Sequence, residues 1–218
     1  MRYKVFGLHT GLRVSEFVLG TGNFGTGWGH GASREEAQAI LDAYADAGGN
    51  FLDTADSYQF GQSEEFLGDL LQGRRDDFVL ATKFTQSASP KGGGILVTGN
   101  SRKAMVASAE ASLKRLKTDH IDLYWAHYAD GVTPAEEIVR GFDDLARAGK
   151  ILYAGLSDFP AWRVARAQPS PNCAAHFPLL VYRSNTVSFS VRLNMTCFRP
   201  ERRSALALSR GRRWVAAC

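Results

Sequence analysis

Residues 50–61, N-F-L-D-T-A-D-S-Y-Q-F-G, decide the fold prediction for this chain. Asp53 closes an apolar run in this stretch, and Tyr58 follows five residues later in a segment rich in turn formers. Two further apolar runs, F-V-L-A-T-K-F and I-D-L-Y-W-A-H, carry Lys83 and His127 at their ends. An acid, a phenol, an amine and an imidazole thus stand at the carboxyl ends of three consecutive predicted strands. In a barrel of parallel strands these ends surround one mouth, where the fold keeps its chemistry.

Strands and helices alternate along the chain as far as Gln168. Apolar runs predict five strands, at residues 17–22, 50–56, 78–84, 121–127 and 151–157. Each is followed by a segment with helical periodicity, at residues 34–49, 63–73, 101–117, 134–150 and 160–168. Two short runs before them, residues 3–7 and 12–17, predict an N-terminal β-hairpin. The alternation indicates an α/β protein with a parallel sheet. Convergence of the polar residues on one mouth favours a (β/α)8 TIM barrel over an open doubly wound sheet.

The composition describes a soluble globular protein. The chain has 218 residues, of which 44% are hydrophobic and 22% are charged, as in ordinary globular domains. No apolar run reaches the length that crosses a membrane, and the first twenty residues lack the apolar core of a secretory signal. We therefore expect a cytoplasmic protein that has no membrane partner.

The net charge of +4 is an average over two unlike parts. Residues 169–218 hold eight Arg, no Lys and one acid, whereas residues 1–168 carry an excess of acids. An Arg-rich segment can be a nucleic-acid-binding arm, but this one contains no recognisable binding motif, so no nucleic-acid partner is expected. The three cysteines also fall in the second part, and their spacing matches no zinc pattern, so no metal site is predicted.

The four polar residues fit proton donation to a carbonyl group that receives hydride. Tyr58 is the candidate acid, and a neighbouring ammonium from Lys83 favours the phenolate that is left after donation. Asp53 can hold Lys83 by an ion pair, and His127 can polarise the carbonyl oxygen. Taken singly, each residue has a structural interpretation: a turn former, a packed phenol, a solvated amine or a structural histidine. Their joint position at three strand ends favours the catalytic interpretation.

Several motifs in the first 168 residues resemble the aldo-keto reductase family. The match includes G-G-N-F-L-D-T-A-D-S-Y-Q-F-G-Q-S-E-E-F-L-G (48–68), L-A-T-K-F (80–84), L-K-R-L-K-T-D-H-I-D-L-Y-W-A-H (113–127) and L-A-R-A-G-K-I-L-Y-A-G-L-S-D-F (145–159). The resemblance implies a (β/α)8 barrel that reduces aldehydes or ketones with a nicotinamide cofactor. It also implies that Asp53, Tyr58, Lys83 and His127 are the catalytic tetrad.

The same resemblance implies which residues contact the cofactor, expected to be NADPH. The backbone contact after the first barrel strand falls on Gly22 and Asn23, and Asp53 also belongs to the cofactor contacts. The family's Ser-Asn pair, which binds the nicotinamide carboxamide, falls on Ser157 and Asp158. Asp158 stands where the family usually has Asn. An ionised carboxylate accepts hydrogen bonds but, unlike the amide of Asn, cannot donate one.

Residues 169–218 do not continue the family pattern, although three strand–helix units of the barrel are still to come. Read one base out of register, residues 210–218 can encode A-W-S-P-L-G-G-G-L, a phrase typical of the family's seventh strand. We therefore expect an incomplete barrel of five β/α units over residues 1–168, followed by a poorly ordered tail that is read out of frame. An unrelated extension is the alternative explanation.

Two functional alternatives follow: a truncated fragment without activity, or a regulatory subunit derived from the same barrel. The sequence carries no signal for an oligomeric state.

Overall fold

The computed structural model describes residues 1–7 and 10–167, and of residues 181–183 only the backbone; the side chains of residues 165 and 166 are also outside the description. The strands are β1 (Tyr3–Val5), β2 (Arg13–Ser15), β3 (Leu19–Gly20), β4 (Phe51–Asp53), β5 (Val79–Phe84), β6 (Ile121–Ala126), β7 (Ile151–Ser157) and β8 (Val181–Arg183). The helices are α1 (Arg34–Asp46), α2 (Gln62–Leu70), α3 (Arg102–Leu116), α4 (Ala135–Arg147) and α5 (Ala161–Ala167). A short 3₁₀ turn covers Arg75–Asp77, and Tyr58–Gly61 form a turn in which Gln59 and Phe60 have left-handed backbone.

The strands confirm the predicted parallel α/β arrangement. Strands β1 and β2 pair antiparallel, with Lys4 opposite Val14, which is the predicted N-terminal hairpin. Strands β3 to β8 form one parallel sheet in the order of the chain. The five predicted β/α units correspond to β3 through α5. Within the described part of the chain this sheet is open, with β3 and β8 as its two edges.

Strand β8 lies in the segment where the sequence pattern predicts no element. Its backbone pairs in parallel with β7, and Val181 is opposite Gly155. Residues 169–218 lack the alternation of apolar and polar residues that reveals a strand, so the pattern does not predict β8. The expectation of a poorly ordered, out-of-frame tail otherwise falls on residues outside the described ranges.

Local signals define the helix ends. At the start of α1, the Ser33 hydroxyl accepts from the Glu36 N–H while the Glu36 carboxylate accepts from the Ser33 N–H. These two reciprocal hydrogen bonds form a capping box, and Gly48, with a φ of +81°, follows the end of the helix. The Ser101 hydroxyl caps α3, the longest described helix at 15 residues. None of the helices in the described ranges has the length and apolar character needed to cross a membrane.

The sheet has two faces with separate cores because side chains alternate along each strand. The outer face packs on the helices and includes Leu52, Leu80 and Tyr124. The inner face carries a smaller cluster made of Val14, Phe51, Val79, Ala81, Leu123 and Trp125. The hairpin covers its amino-terminal side, where the Phe6 ring meets the Phe51 ring edge-on at 5.2 Å between centroids.

The same alternation places polar residues on the inner face at the opposite end. Asp53 follows Phe51 by two positions, and Lys83 follows Ala81 by two. His127 stands two positions after Trp125, one residue beyond the end of β6. The inner face therefore changes from apolar at its amino-terminal side to ionisable at its carboxyl-terminal side.

Candidate active site

Lys83 is the centre of the polar cluster. Its ammonium donates to the Asp53 carboxylate at 2.9 Å, to the Thr54 carbonyl oxygen at 2.6 Å and to the Tyr58 hydroxyl oxygen at 3.1 Å. The side chain is only 1% exposed. An ammonium has three donors and no acceptor, so these three contacts use its whole hydrogen-bonding capacity. Lys83 is therefore fixed in position and directed at the phenol.

The phenol of Tyr58 keeps its own proton available in this arrangement. Because Lys83 can only donate, the Tyr58 oxygen is the acceptor in their hydrogen bond. The Lys83 nitrogen also lies 4.6 Å from the centroid of the Tyr58 ring, a cation–π distance. The Lys83 cation thus contacts the phenol of Tyr58 through both the hydroxyl oxygen and the ring.

His127 brings an imidazole to the same place from the next strand. Its ring centroid lies 6.1 Å from that of Tyr58, with the two planes at 80°. The His127 N–H donates to the Phe84 carbonyl oxygen at 3.0 Å and to the Thr85 hydroxyl at 3.2 Å. The imidazole is consequently held beside the phenol by the ends of β5 and β6.

A left-handed run of backbone sets the position of Tyr58. Gln59 and Phe60 both have positive φ, at 52° and 57°, and Gly61 continues the run at 93°. Left-handed backbone costs a non-glycine residue about 1–2 kcal/mol. Two hydrogen bonds from the buried Gln59 side chain offset this cost: its amide donates to the Gly22 carbonyl oxygen at 3.2 Å and accepts from the Trp28 N–H at 2.9 Å. Gln59 therefore ties the Tyr58 turn to the loop after β3.

The residues after this turn anchor it to the sheet. The buried Ser63 hydroxyl donates to the Thr21 carbonyl oxygen at 2.8 Å and contacts the Thr54 hydroxyl at 2.9 Å. The next residue, Glu64, is fully buried, receives a hydrogen bond from Thr82 and pairs with Arg115 at 2.7 Å. The G-x-S-E segment after Tyr58 is thus an anchor that fixes the start of α2 on β3, β4 and β5.

Asp56 is a buried carboxyl close to this centre. It is 1% exposed, and its Oδ2 accepts from the Ser87 N–H at 3.3 Å. Burial, followed by repulsion from the Glu64 carboxylate, raises the pKa of Asp56 to about 7, although Arg115 opposes the change. Unlike the ion-paired Asp53, Asp56 is a carboxyl whose neutral form the fold favours.

The predicted cofactor contacts lie on the strands that flank the centre. In sheet order, Gly22 follows β3 and Ser157 ends β7, on either side of the three strands that lead to Asp53, Lys83 and His127. The Gly22 carbonyl oxygen accepts the hydrogen bond from Gln59, so this backbone is held beside the Tyr58 turn.

The remaining cofactor positions differ in their exposure. Asn23 is exposed and Ser157 is buried on the inner face, while Asp158 is half-buried with a φ of +50°. Asn and Asp tolerate this conformation better than other non-glycine residues, which gives Asp158 a backbone reason to occupy a position where Asn is usual. A hydroxyl, a carboxylate and backbone groups at these positions fit the carboxamide and ribose of a nicotinamide nucleotide.

Several residues of the cluster escape prediction from the sequence. They are Thr54, whose carbonyl binds Lys83, and Trp28, Gln59, Thr85 and Asn100, which support the loops around Tyr58 and His127. Trp28 is 39% exposed, and its ring meets that of Tyr58 edge-on at 6.2 Å between centroids. The only sequence signal for these residues is their position in the loops that follow strands, where this class of fold keeps its functional groups.

Comparison with known proteins gives one consistent result. The sequence model of the Aldo/keto reductase family matches residues 16–196, which extends beyond the boundary drawn at Gln168. Norsolorinic acid reductase of Aspergillus flavus is 38% identical over 192 residues, covering 84% of this chain and 49% of that protein. A norsolorinic acid reductase of Emericella nidulans is 42% identical over 172 residues, covering 75% and 44%. Aryl-alcohol dehydrogenase [NADP(+)] of Phanerodontia chrysosporium is 38% identical over 195 residues, covering 83% and 50%. The chain spans about half the length of these relatives.

Proposed function

Because the chain belongs to the aldo/keto reductase family of TIM-barrel oxidoreductases, we propose that it reduces an aldehyde or ketone to the alcohol with NADPH. The proposal rests most directly on the three-way contact of Lys83 with Asp53, Thr54 and Tyr58. The name of the aryl-alcohol dehydrogenase [NADP(+)] relative supports the preference for NADP. We place the reaction in the cytoplasm, as the sequence predicts.

Each residue of the tetrad has one role in this proposal. NADPH, when bound, supplies the hydride that adds to the carbonyl carbon. Tyr58 donates its proton to the carbonyl oxygen, and Lys83 stabilises the phenolate that remains. Asp53 holds the ammonium in place, and His127 donates a hydrogen bond to the carbonyl oxygen and orients it toward Tyr58.

The cofactor is held, in this proposal, by groups from the flanking strands. Ser157 and Asp158 would hold the carboxamide, and the backbone at Gly22 and Asn23 and the Asp53 side chain would supply the other contacts to the cofactor. The Asp158 carboxylate would accept from the carboxamide NH₂, so the donor to the carboxamide oxygen would be the Ser157 hydroxyl.

We further propose an aromatic carbonyl compound as the substrate class. Trp28 and Phe60 are both partly exposed, and their rings lie edge-on at 6.5 Å between centroids. Trp28 also contacts the Tyr58 ring, so an apolar wall begins directly beside the candidate proton donor. The printed name of the aryl-alcohol dehydrogenase relative agrees with such a substrate.

A binding and turnover experiment on the full chain tests the proposal. NADPH is titrated into the protein and followed by fluorescence, and oxidation of NADPH is then measured with benzaldehyde. We expect saturable binding and aldehyde-dependent oxidation, and in Tyr58→Phe we expect binding to persist while turnover falls about 10²–10⁴-fold. Tyr3→Phe is the matched control, since Tyr3 lies on the exposed hairpin and its hydroxyl donates to the Gly48 carbonyl oxygen after α1.

The alternatives give different outcomes in the same experiment. A chain that binds no NADPH contradicts the proposal and favours the fragment without activity. A chain that binds NADPH but oxidises none of it with any carbonyl compound favours a regulatory subunit.

A further inference from the structure

A buried side-chain bridge joins the loops that follow β5 and β6. The Thr85 hydroxyl donates to the Asn100 side-chain oxygen at 2.7 Å, and both residues are buried. Thr85 follows β5 directly, and Asn100 ends the loop that leads into α3. We call this pair the Thr85–Asn100 bridge.

The bridge holds the backbone on both sides of His127. The Thr85 hydroxyl accepts from the His127 N–H at 3.2 Å, on the amino-terminal side of this residue. The Asn100 amide donates to the Tyr128 carbonyl oxygen at 2.8 Å, on the carboxyl-terminal side. The two members of the bridge thus clamp the short backbone segment that carries the imidazole.

The Asn100 end of the bridge is anchored on rigid structure. The Asn100 N–H donates to the Asp130 carboxylate at 2.8 Å, and the same carboxylate accepts from the Thr133 N–H at 2.9 Å. Asn100 also precedes Ser101, whose hydroxyl caps α3. The bridge therefore connects His127 to a helix terminus and to a loop closed by its own hydrogen bonds.

The Thr85 end is held in an unusual backbone conformation. Its φ is +125°, which is rare for any residue with a side chain and rarer for a β-branched one. Such a conformation costs on the order of 1–3 kcal/mol and persists only where the surroundings impose it. Here the Thr85 carbonyl oxygen accepts from the Gly99 N–H at 2.9 Å, while the hydroxyl makes the two contacts described above. Backbone strain at a strand end that faces the site is consistent with a functional constraint.

From this geometry we propose that Thr85 and Asn100 are positioning residues that fix the imidazole of His127 relative to the Tyr58 hydroxyl. The inference rests on the proposed function, in which both groups meet one carbonyl oxygen. The ring centroids of Tyr58 and His127 are 6.1 Å apart. Catalytic groups function together only when their positions are held to within about 0.5 Å of the productive geometry. A displacement of about 1 Å costs on the order of 10²-fold in rate.

Isosteric variants isolate the hydrogen bonds of the bridge. Thr85→Val keeps the shape and removes the hydroxyl, whereas Thr85→Ser keeps the hydroxyl and removes the methyl group. Asn100→Asp replaces the donor to Tyr128 by an acceptor and so introduces repulsion. Thr98→Val is the matched control, because the Thr98 hydroxyl lies on the same loop and donates only to Gly94 among the described residues. If Thr85→Val does not fold, Thr85→Gly replaces it, since Gly accepts the positive φ while also lacking the hydroxyl.

The first measurement does not depend on turnover. The full chain is labelled with ¹³C at the imidazole Cε1 of histidine, and the His127 signal is identified by its loss in His127→Gln. We expect this signal to move or broaden in Thr85→Val and in Asn100→Asp, and to stay in place in Thr85→Ser and Thr98→Val. An unchanged signal in Thr85→Val or its Gly substitute overturns the proposal, and so does an equal change in Thr98→Val.

The second measurement separates positioning from general damage. We expect kcat with benzaldehyde to fall about 10- to 100-fold in Thr85→Val and to recover in Thr85→Ser, with KM for NADPH changed by less than about twofold. An equal loss in the Ser and Val variants contradicts the role of the hydroxyl. A wild-type chain without turnover contradicts the proposed function, while the imidazole signal still decides whether the bridge positions His127.

Discussion

The backbone N–H of Asp56 donates to the carbonyl oxygen of Lys83 at 3.0 Å, so the buried carboxyl of Asp56 is attached to the strand end that carries the catalytic candidate. The two side chains have opposite electrostatic surroundings. Lys83 is surrounded by an acid, a carbonyl and a phenol, whereas Asp56 lies near a second acid, Glu64. Two neighbouring strand ends therefore carry an ion-paired ammonium and a carboxyl that resists ionisation.

The raised pKa of Asp56 predicts a specific pH dependence of stability. Because the folded-state pKa of about 7 lies above the ordinary value of 3.8, the folded chain binds this proton more tightly than the unfolded chain. The contribution is fully present below the ordinary pKa, and it is lost as the pH rises through about 7. We expect Asp56→Asn to remove this loss, which amounts to at most about 4 kcal/mol between about pH 4 and pH 8.

Urea unfolding across this pH range measures the effect. Asp46→Asn, at the exposed end of α1, is the matched control and should follow the wild type at every pH. Parallel stability curves for the wild type and Asp56→Asn would falsify the assignment of the raised pKa to this group.

The contact between Lys83 and Asp53 predicts strong coupling between these two positions. Lys83→Met removes the cation and leaves the partly buried Asp53 carboxylate beside an apolar group, so we expect a cost of about 3–5 kcal/mol. Asp53→Asn in the same chain removes the charge that has lost its cation. The loss of unfolding free energy in the double variant should therefore be smaller, by at least about 1 kcal/mol, than the losses of the two single variants added together. Additive free energies of unfolding would show that the pair is not coupled.

The ion pair beneath the site is expected to matter far more than a similar pair at the surface. In the pair of Arg115 with Glu64 the side chains are 19% and 0% exposed, whereas in the pair of Arg102 with Asp144 they are 59% and 45% exposed. Arg115→Met leaves a buried carboxylate and should cost about 3–5 kcal/mol, while Arg102→Met should cost less than about 1 kcal/mol. Equal losses in denaturant unfolding would contradict this difference in burial.

The change of composition near Gln168 can be tested at the level of the gene. We propose that residues 169–218 are read out of frame, because they hold eight Arg and no Lys and can encode a family-like phrase one base away. Resequencing around codon 168 is expected to show an inserted or deleted base. The family match extends to residue 196, across this boundary, and a confirmed in-frame sequence would reject the proposal.

The sequence predicts the inner face of the sheet well because a period of two is a simple rule. Once Phe51 and Ala81 are assigned to the core, Asp53 and Lys83 must lie on the same face two positions later. The position of Tyr58 follows no such rule. It depends on left-handed backbone at Gln59 and Phe60, neither of which is the glycine that normally reveals this conformation.

The support around His127 could not be predicted for a different reason. Thr85 and Asn100 are joined across a loop that has no periodic pattern, and their contact depends on how that loop folds back. The pKa of Asp56 likewise depends on Glu64 and Arg115, which come from two different helices. Periodicity specifies which face a strand residue occupies, but only the packed structure brings such residues together.

The N-terminal hairpin has a consequence for the order of events in the proposed reaction. With Phe6 packed on Phe51, the hairpin covers the amino-terminal side of the inner face, opposite the end that carries Lys83. We therefore expect the proton that returns to the Tyr58 hydroxyl to arrive from the carboxyl-terminal side, where the carbonyl compound is proposed to bind. The alcohol leaves by this same side. We therefore expect the alcohol to leave before the Tyr58 phenolate takes up a proton from solvent.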